Sequence, residues 1–471
     1  MSTPATQLLD EPLATLPQAG LPRLLAGIPP HGALALSEHL SVHGRAPSYP
    51  RPRRRGRRSQ SALIELVERS GLRGQGGAGF PTGAKLRAVA EQRGQAIVVV
   101  NAAEGEPASL KDRTLMQALP HLVLDGTQLA AQAVGAAELI VCVCESAPAS
   151  SEHAARAIAE RESARGGQPA DAAHMHLAAV PGHYVAGQET ALVHHLNGGP
   201  ALPTFTPPMV FQQGVRRRPT LVANAETLAH LALIARHGPD WFRRLGTPSQ
   251  PGSSLVTLSG AIAHPGVYEI EHGSSLASLL EAAGGSRGEP RAILIGGYGG
   301  SWIDGRLANE VWLADEHLAA HSASLGAGVI CVLSSEACPV AETARLTRWM
   351  AGQSAGQCGP CVSGLDSLAR SLEEIVGARA SANAAAHIAR LASLVHRRGA
   401  CGHPDGVARM VVSAIDAFGP ELADHAAHGP CAGCARPGEL PLPEVRARAD
   451  APPASATGSK LTKVRQPVAM R

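Results

Sequence analysis

Two groups of residues in this 471-residue chain have the types and spacing to do chemistry. The first is the run 71–83, GLRGQGGAGFPTG, which holds six glycines and is followed by Lys85. Glycines let backbone N–H groups approach an anion closely, and a helix beginning just after them offers its positive N-terminus. Lys85 adds a fixed positive charge, so the parts suit a phosphate-bearing ligand. Gly74, Gly76 and Gly79 satisfy G-x-G-x-x-G, but the run follows a helical segment instead of a strand, so it is not in the context of an ordinary dinucleotide motif. A loop kept only for flexibility would have no use for the Phe80-Pro81 pair embedded in it.

The second group is Cys358-Gly-Pro-Cys361 with Cys401 further on. This spacing lets two thiolates face one metal centre, and thiolates are the usual ligands of iron–sulfur clusters and of structural zinc. Cys431-x2-Cys434, preceded by His428, is a lone pair for which metal binding is one reading. Cys142, Cys144, Cys331 and Cys338 lie in or beside apolar runs and read as small core residues. Nine cysteines in a chain without a visible secretory signal argue for metal or redox roles over disulfides.

These residues need elements to position them. Helical spacing covers 61–69 and 85–92, and 96–100 is a short buried strand. A helix over 122–134, a strand over 138–143, a helix over 151–162 and a strand over 175–180 continue the alternation. Strands alternating with helices imply a parallel sheet with helices packed on it. Near residue 252 the pattern becomes short strands, at 255–259, 266–270 and 292–295, with one helix over 276–283. From about 341 to 418 it is helical and alanine-rich, suggesting a bundle. The expected architecture is an α/β domain with a parallel sheet over 60–251, a small β-grasp-like α+β module over 252–332, and a helical bundle over 333–434. Residues 1–59 are expected to be mostly irregular with a short helix near Leu36, and 435–471 to form a disordered tail.

Composition narrows the function classes. The chain is 44% hydrophobic and 17% charged, as soluble globular proteins are. No apolar run reaches the ~18 residues a membrane helix needs. The net charge of +3 falls to −3 once the six arginines between Arg51 and Arg58 are set aside. That cluster has no interleaved aromatics, so it reads as a solvated linker and no nucleic-acid partner is expected. The expected location is the cytoplasm, with peripheral attachment at the inner face of the membrane as the alternative.

Four blocks together carry a resemblance: GLRGQGGAGFPTGAK from 71, NAAEGEPASLKDR at 101–113, GHYVAGQETALVHHLNGGP at 182–200 and PTLVANAETLAHL at 219–231. In order and spacing they resemble the NADH-binding flavin subunit of respiratory complex I, the F-subunit family of the NADH-quinone oxidoreductases, over about residues 60–430. SGAIAHPGVYEI and GGYGG within 253–300 resemble the soluble-ligand-binding β-grasp module of that family. The resemblance implies FMN, held by the glycine loop (Gly74, Gly76, Gly77, Gly79) with Lys85 and Asn101. It also implies that Glu104, Gly187, Glu189, Asn224 and Thr227 line the flavin, that Phe80 stacks on NADH, and that Glu106 lies near its ribose. Five positions depart from the family pattern: Ala103, Gln188 and Ala223 near the flavin, and Thr206 and Met209, which stand for a Lys and an aromatic, on the adenine side.

For the cysteines the resemblance implies a 4Fe–4S centre on Cys358, Cys361 and Cys401, with Ala355 where the family has its first ligand. A non-Cys or distant fourth ligand (Ser354, His403 or the Cys431/Cys434 pair), a three-iron or site-differentiated cluster, a lost cluster, and zinc all stay open. The implied function is a flavin- and iron–sulfur-dependent oxidoreductase subunit that accepts hydride from NAD(P)H onto FMN and passes electrons to the iron–sulfur centre. The implied partners are other redox subunits, such as a ferredoxin-like or thioredoxin-like 2Fe–2S protein. The alternative is an electron-transfer relay that exchanges electrons with ferredoxin or a membrane flavocytochrome and does not use NADH.

Overall fold

The computed structural model of the chain describes residues 14–15, 19–50, 53–55, 58–164, 174–377, 379 and 383–443. They divide into two compact units. The described residues of 23–105 and 112–244 make up the first, and those of 14–22, 106–111 and 245–443 the second.

The first unit is built on β1 (Ile97–Ala102), β2 (Glu138–Cys144), β3 (His174–Val180) and β4 (Thr220–Asn224). Their order is β3-β2-β1-β4 and every pairing is parallel. Ile97, Val98, Val99 and Val100 are all fully buried, as a continuous β-branched run must be when helices cover both faces of a parallel sheet. The helices are α1 (Ala62–Ser70), α2 (Thr82–Ala90), α3 (Pro120–Val134), α4 (Pro148–Ala164), α5 (Glu189–Leu196) and α6 (Ala225–His237). Helix α1 starts where the Ser61 hydroxyl accepts from the Ile64 amide and stops at left-handed Gly71, the usual signals at both ends. Helices α3 and α6 pack so closely that a Cβ on Gly126 would fall 1.8 Å from the Leu228 carbonyl oxygen. A buried charge group ties this layer together: Asp125 on α3 meets Arg161 at 2.7 Å, His39 at 2.8 Å, and Arg236. His39 belongs to the short helix Leu36–His43, in the region where one was expected.

The arginine run departs from the expected irregular linker. Arg53–Arg55 and Arg58–Gln60 pair as an antiparallel ladder. Charged side chains give no apolar alternation, so this backbone pairing leaves no trace in the hydrophobic pattern.

The second unit contains β5 (Ser253–Gly260), β6 (Gly266–Glu271), β7 (Ala292–Ile295), β8 (Ser301–Asp304) and β9 (Val329–Leu333). With the short strand Ala14–Thr15 at one edge they form a mixed sheet, ordered 14–15, β6, β5, β9, β7, β8. Helix α7 (Leu276–Ala282) contributes Leu276 and Leu279 to a core that also holds Val256, Leu258, Ile293, Ile295, Ile330 and Val332. The helical region follows as α8 (Pro339–Gly352), α9 (Leu365–Val376), α10 (Ala384–Val395) and α11 (His403–His428). On α9, Leu365, Leu368, Ala369, Leu372 and Ile375 recur every three or four residues and are all buried, the signature of a helix with one core face. The helical pattern expected to about Phe418 runs on to the end of α11 at His428, inside the expected bundle, across a kink where Phe418 leaves helical geometry just before Pro420. Proline lacks the N–H that continues the ladder, so it bends this helix without ending it.

The beginning of the expected disordered tail is also packed. Leu440 is buried, the Glu439 carboxylate accepts from the Ser334 amide at 2.9 Å, and Arg345 donates to the Leu440 carbonyl at 2.7 Å. Residues 444–471 lie outside the described residues.

Candidate cofactor sites

The glycine loop joins α1 to α2 in the first unit. The Gly74 amide donates to the Phe80 carbonyl at 2.9 Å, and Arg73 bridges to Pro81, which closes the loop on itself. Gly77 (φ 101°) and Gly79 (φ 60°) hold left-handed backbone that a side chain would strain. A Cβ on Gly79 would point into open space, so the left-handed backbone, not crowding, is what requires glycine there. The Gln75 amide donates to the Thr227 hydroxyl at 2.9 Å, anchoring the loop to α6. Phe80 stands 56% exposed at the loop's end, as a ring kept for a ligand would.

Around the loop the sheet presents the ends of β1 and β4. Asn101 donates through Nδ2 to the Gly187 carbonyl at 2.7 Å. A Cβ on Gly187 would come within 2.6 Å of the Ala103 carbonyl oxygen, so only glycine admits that approach. Asn224 caps α6 by accepting from the Glu226 amide at 3.1 Å and donates to Asp112 at 2.6 Å. Glu104 accepts from the Asp112 and Arg113 amides at 3.2 and 3.1 Å, where a helix starts. Lys85 reaches from α2 to Glu189 at the start of α5, 3.0 Å away. Gln188, one of the departures, caps α5: its Oε1 accepts from the Thr190 and Ala191 amides at 2.8 and 3.0 Å. The neutral amide thus supplies the acceptor that a carboxylate would supply.

Twelve of the thirteen expected cofactor residues therefore lie in one unit; Glu106 does not. It belongs to the second unit, where its Oε2 accepts from the Tyr298 amide at 2.9 Å. Of the two departures that the resemblance puts on the adenine side, Thr206 is followed by two prolines and Met209 is 44% exposed, while the neighbouring Phe205 is 74% exposed.

The cysteines Cys358, Cys361 and Cys401 all lie in the helical region of the second unit. Cys361 sits on the single π-type turn Pro360–Gly364 that leads into α9, and Cys401 lies just ahead of α11. Burial pushes the Cys361 thiol up to about 12, and its neighbours Cys358 and Cys401 push in the same direction. The Ala355 amide points at the Cys361 sulfur. Cys358 and Cys401 crowd the buried Cys361 thiol, a donor set that a cation would relieve, so the three fit an iron–sulfur centre with one protein thiolate fewer than four. Of the candidate fourth ligands, His403 is buried with Nε2 bonded to the Met350 carbonyl at 2.9 Å. Cys431 and Cys434 are engaged elsewhere. With Cys338 and His425 they form a group whose ligand atoms all lie within 4.8 Å of one another. Cys338 is thus part of a polar cluster and not simply a core residue. His425 takes the place expected of His428, which is exposed and pairs with Asp424.

Residues 67–233 match the family model of the Nuo51 FMN-binding domain, 341–425 that of the NADH-ubiquinone oxidoreductase-F iron-sulfur binding region, and 255–297 that of the SLBB domain. The second NADH-quinone oxidoreductase F subunit of Rhizobium meliloti (strain 1021) is 32% identical over 382 residues, 79% of this chain and 90% of that relative. The alpha subunit of the NAD-reducing hydrogenase HoxS of Cupriavidus necator is 31% identical over 76% of this chain and 60% of its own length. A crystal structure of an NAD+-reducing NiFe hydrogenase in its H2-reduced state superposes with a TM-score of 0.73 at 32% identity, covering 77% of this chain. This chain spans 62% of that hydrogenase chain's length.

The parallel sheet with its glycine loop, the SLBB-type module and the cysteine-bearing helices define a flavin- and iron–sulfur-dependent oxidoreductase subunit. Its cofactors are FMN and a 4Fe–4S cluster. At 32% identity over nine-tenths of a full-length relative, the chain belongs to the F-subunit family of the NADH-quinone oxidoreductases.

Proposed function

We propose that Gly74, Gly76, Gly77 and Gly79 hold the FMN phosphate, with Lys85 balancing its charge. The carrying observation is that the left-handed backbone of this loop opens α2 within the same unit as the Lys85–Glu189 ion pair at 3.0 Å. Backbone N–H groups and the helix N-terminus then meet the dianion without an intervening side chain. Asn101, Glu104, Gly187, Glu189, Asn224 and Thr227 line the remainder of the cofactor. Several of them also cap helices or bond backbone, so their positions are fixed before any ligand arrives. Phe80 offers an aromatic face to the nicotinamide. When bound, FMN supplies the exchange between a two-electron hydride and single electrons. The chain's own residues hold and orient; none acts as a covalent catalyst.

Cys358, Cys361 and Cys401 hold the iron–sulfur centre, whose fourth position is not a cysteine at Ala355. Its electrons leave to a further redox subunit, with a thioredoxin-like or ferredoxin-like 2Fe–2S protein as the class of partner. No helix among the described residues is long and apolar enough to cross a membrane.

Replacing Gly76 by valine tests the cofactor assignment. A Cβ there would sit 3.5 Å from the Asn224 side chain, and a β-branched group would block the approach of phosphate to the loop. The variant should purify folded, with its iron retained and little flavin. Full flavin content in Gly76→Val would place the cofactor elsewhere.

A further inference from the structure

We infer that Cys338, His425, Cys431 and Cys434 bind a single zinc ion, separate from the iron–sulfur centre, which fastens the C-terminal segment to the start of α8. The four residues come from three places: the residue before α8, the last turns of α11, and the loop after it. Their ligand atoms already stand at tetrahedral separations. Cys434 Sγ is 3.4 Å from Cys338 Sγ and 3.8 Å from Cys431 Sγ. His425 Nε2 is 3.3 Å from Cys434 Sγ and 3.5 Å from Cys338 Sγ. A tetrahedral ion with ordinary zinc–sulfur and zinc–nitrogen bonds places sulfurs about 3.8 Å apart and nitrogen about 3.5 Å from sulfur. An iron–sulfur cluster needs more room between its thiolates than a group within 4.8 Å provides.

The surroundings are those of a ligand set. The His425 ring meets the Glu421 carbonyl through Nδ1 at 2.6 Å. A carbonyl only accepts, so Nδ1 carries the proton. Nε2 is left as the acceptor: it takes the Cys431 amide at 3.4 Å and faces the sulfurs of Cys434 and Cys338, so a metal would displace only this long backbone contact from its lone pair. Cys338 sits at the N-cap of α8, where the Ala341 amide donates to its sulfur at 3.3 Å. Gly433, between the two C-terminal cysteines, lets their loop close onto this turn: a Cβ there would come within 3.0 Å of the Cys338 nitrogen and the Glu336 carbonyl oxygen. Binding Zn2+ displaces the protons of the three thiols to solvent and leaves His425 neutral; no electrons move. Three thiolates and one imidazole closed around a d10 ion leave no open position, so the site is structural.

The test uses the full chain purified anaerobically, with zinc and iron measured per chain. One zinc is expected beside the cluster iron. Cys431→Ser, at an exposed position, together with Cys434→Ser should lose the zinc while keeping the flavin and the iron. His425→Cys, which completes a four-thiolate set, should retain it. Replacing zinc by cobalt should give the intense visible bands of a thiolate-bound tetrahedral ion, absent from the double variant. Zinc that survives the double serine variant, a Cys431–Cys434 disulfide found by mass spectrometry, or a single iron in this position would each overturn the assignment.

Discussion

Asn101 and Asn224 are register partners on neighbouring parallel strands, each at the C-terminal end of its strand. Ligands of open parallel sheets bind beyond those ends, and here both side chains are tied down by internal bonds before any ligand arrives. The pair therefore sets the floor of the proposed flavin site.

Asn224 serves two ends at once, capping α6 and holding Asp112. Asn224→Ala should cost about 1 kcal/mol of stability, as lost N-caps do, and should weaken FMN binding beyond that. Denaturant midpoints and flavin content, measured on the same preparation, separate the two effects. A variant with unchanged flavin affinity would remove Asn224 from the site.

The adenine side predicts a substrate effect. Thr206 and Met209 offer neither the charge nor the ring that the family resemblance leads one to expect. Restoring them as Thr206→Lys with Met209→Phe should add on the order of 1–3 kcal/mol of dinucleotide binding. The KM for NADH should fall by roughly fivefold to a hundredfold, following that energy range. An unchanged KM would mean that the exposed Phe205 already supplies the contact.

Ala355 predicts a labile iron. Ala355→Cys should raise iron content and slow bleaching of the cluster in air, because the fourth iron gains a thiolate. Cys361→Ser, which removes the most buried of the three ligands, should abolish the cluster. Iron analysis and EPR of the two variants decide it. Equal iron in wild type and Ala355→Cys would show that another ligand already fills the position.

Stability should depend on pH through His121. Its Nδ1 accepts from Arg161 Nε at 3.0 Å, so the neutral ring must donate through Nε2 to Glu160, also 3.0 Å away. Burial, then the Arg161 charge, pushes His121 down to about 4. A histidine depressed in the folded state contributes stability that is complete above its unfolded value near 6.5 and is lost as pH falls toward 4. Burial opposes ionisation of the adjacent Asp125, but His39, Arg161 and Arg236 outweigh it and hold that carboxyl well below the usual range, so it stays charged throughout this window. The denaturation midpoint should drop between about pH 6.5 and 4.5, and His121→Gln, which cannot titrate, should flatten part of the drop. An identical slope in that variant would assign the acid sensitivity to other groups.

Much of the architecture is legible in the sequence where local pattern carries it. The buried β-branched run Ile97–Val100 and the turn chemistry at Gly71 and Gly77–Gly79 announce a strand and a ligand loop without tertiary knowledge. Thr220–Asn224 and Val329–Leu333 do not stand out as strands, because runs this short look the same in a strand and in a buried connection. Glu106 to Lys111 fall in a different unit from the residues on either side of them in the 101–113 block, and no periodicity signals such a crossing. The Cys338–His425–Cys431–Cys434 group is hidden for a different reason. Cys338 lies beside an apolar run and precedes Cys434 by 96 residues, so only the fold brings them together. The local clue is His425, one to two turns ahead of the Cys-x2-Cys loop, but His428 stands nearer in sequence and is the more obvious candidate.

Anaerobic mixing of the purified chain with NADH, followed by optical and EPR spectroscopy, tests the central claim most directly. The flavin absorption band should bleach, and the EPR signal of a reduced iron–sulfur centre should rise as electrons leave the flavin. A chain that holds flavin and iron yet stays oxidised in the presence of NADH would contradict the account and leave a relay that takes its electrons from another protein.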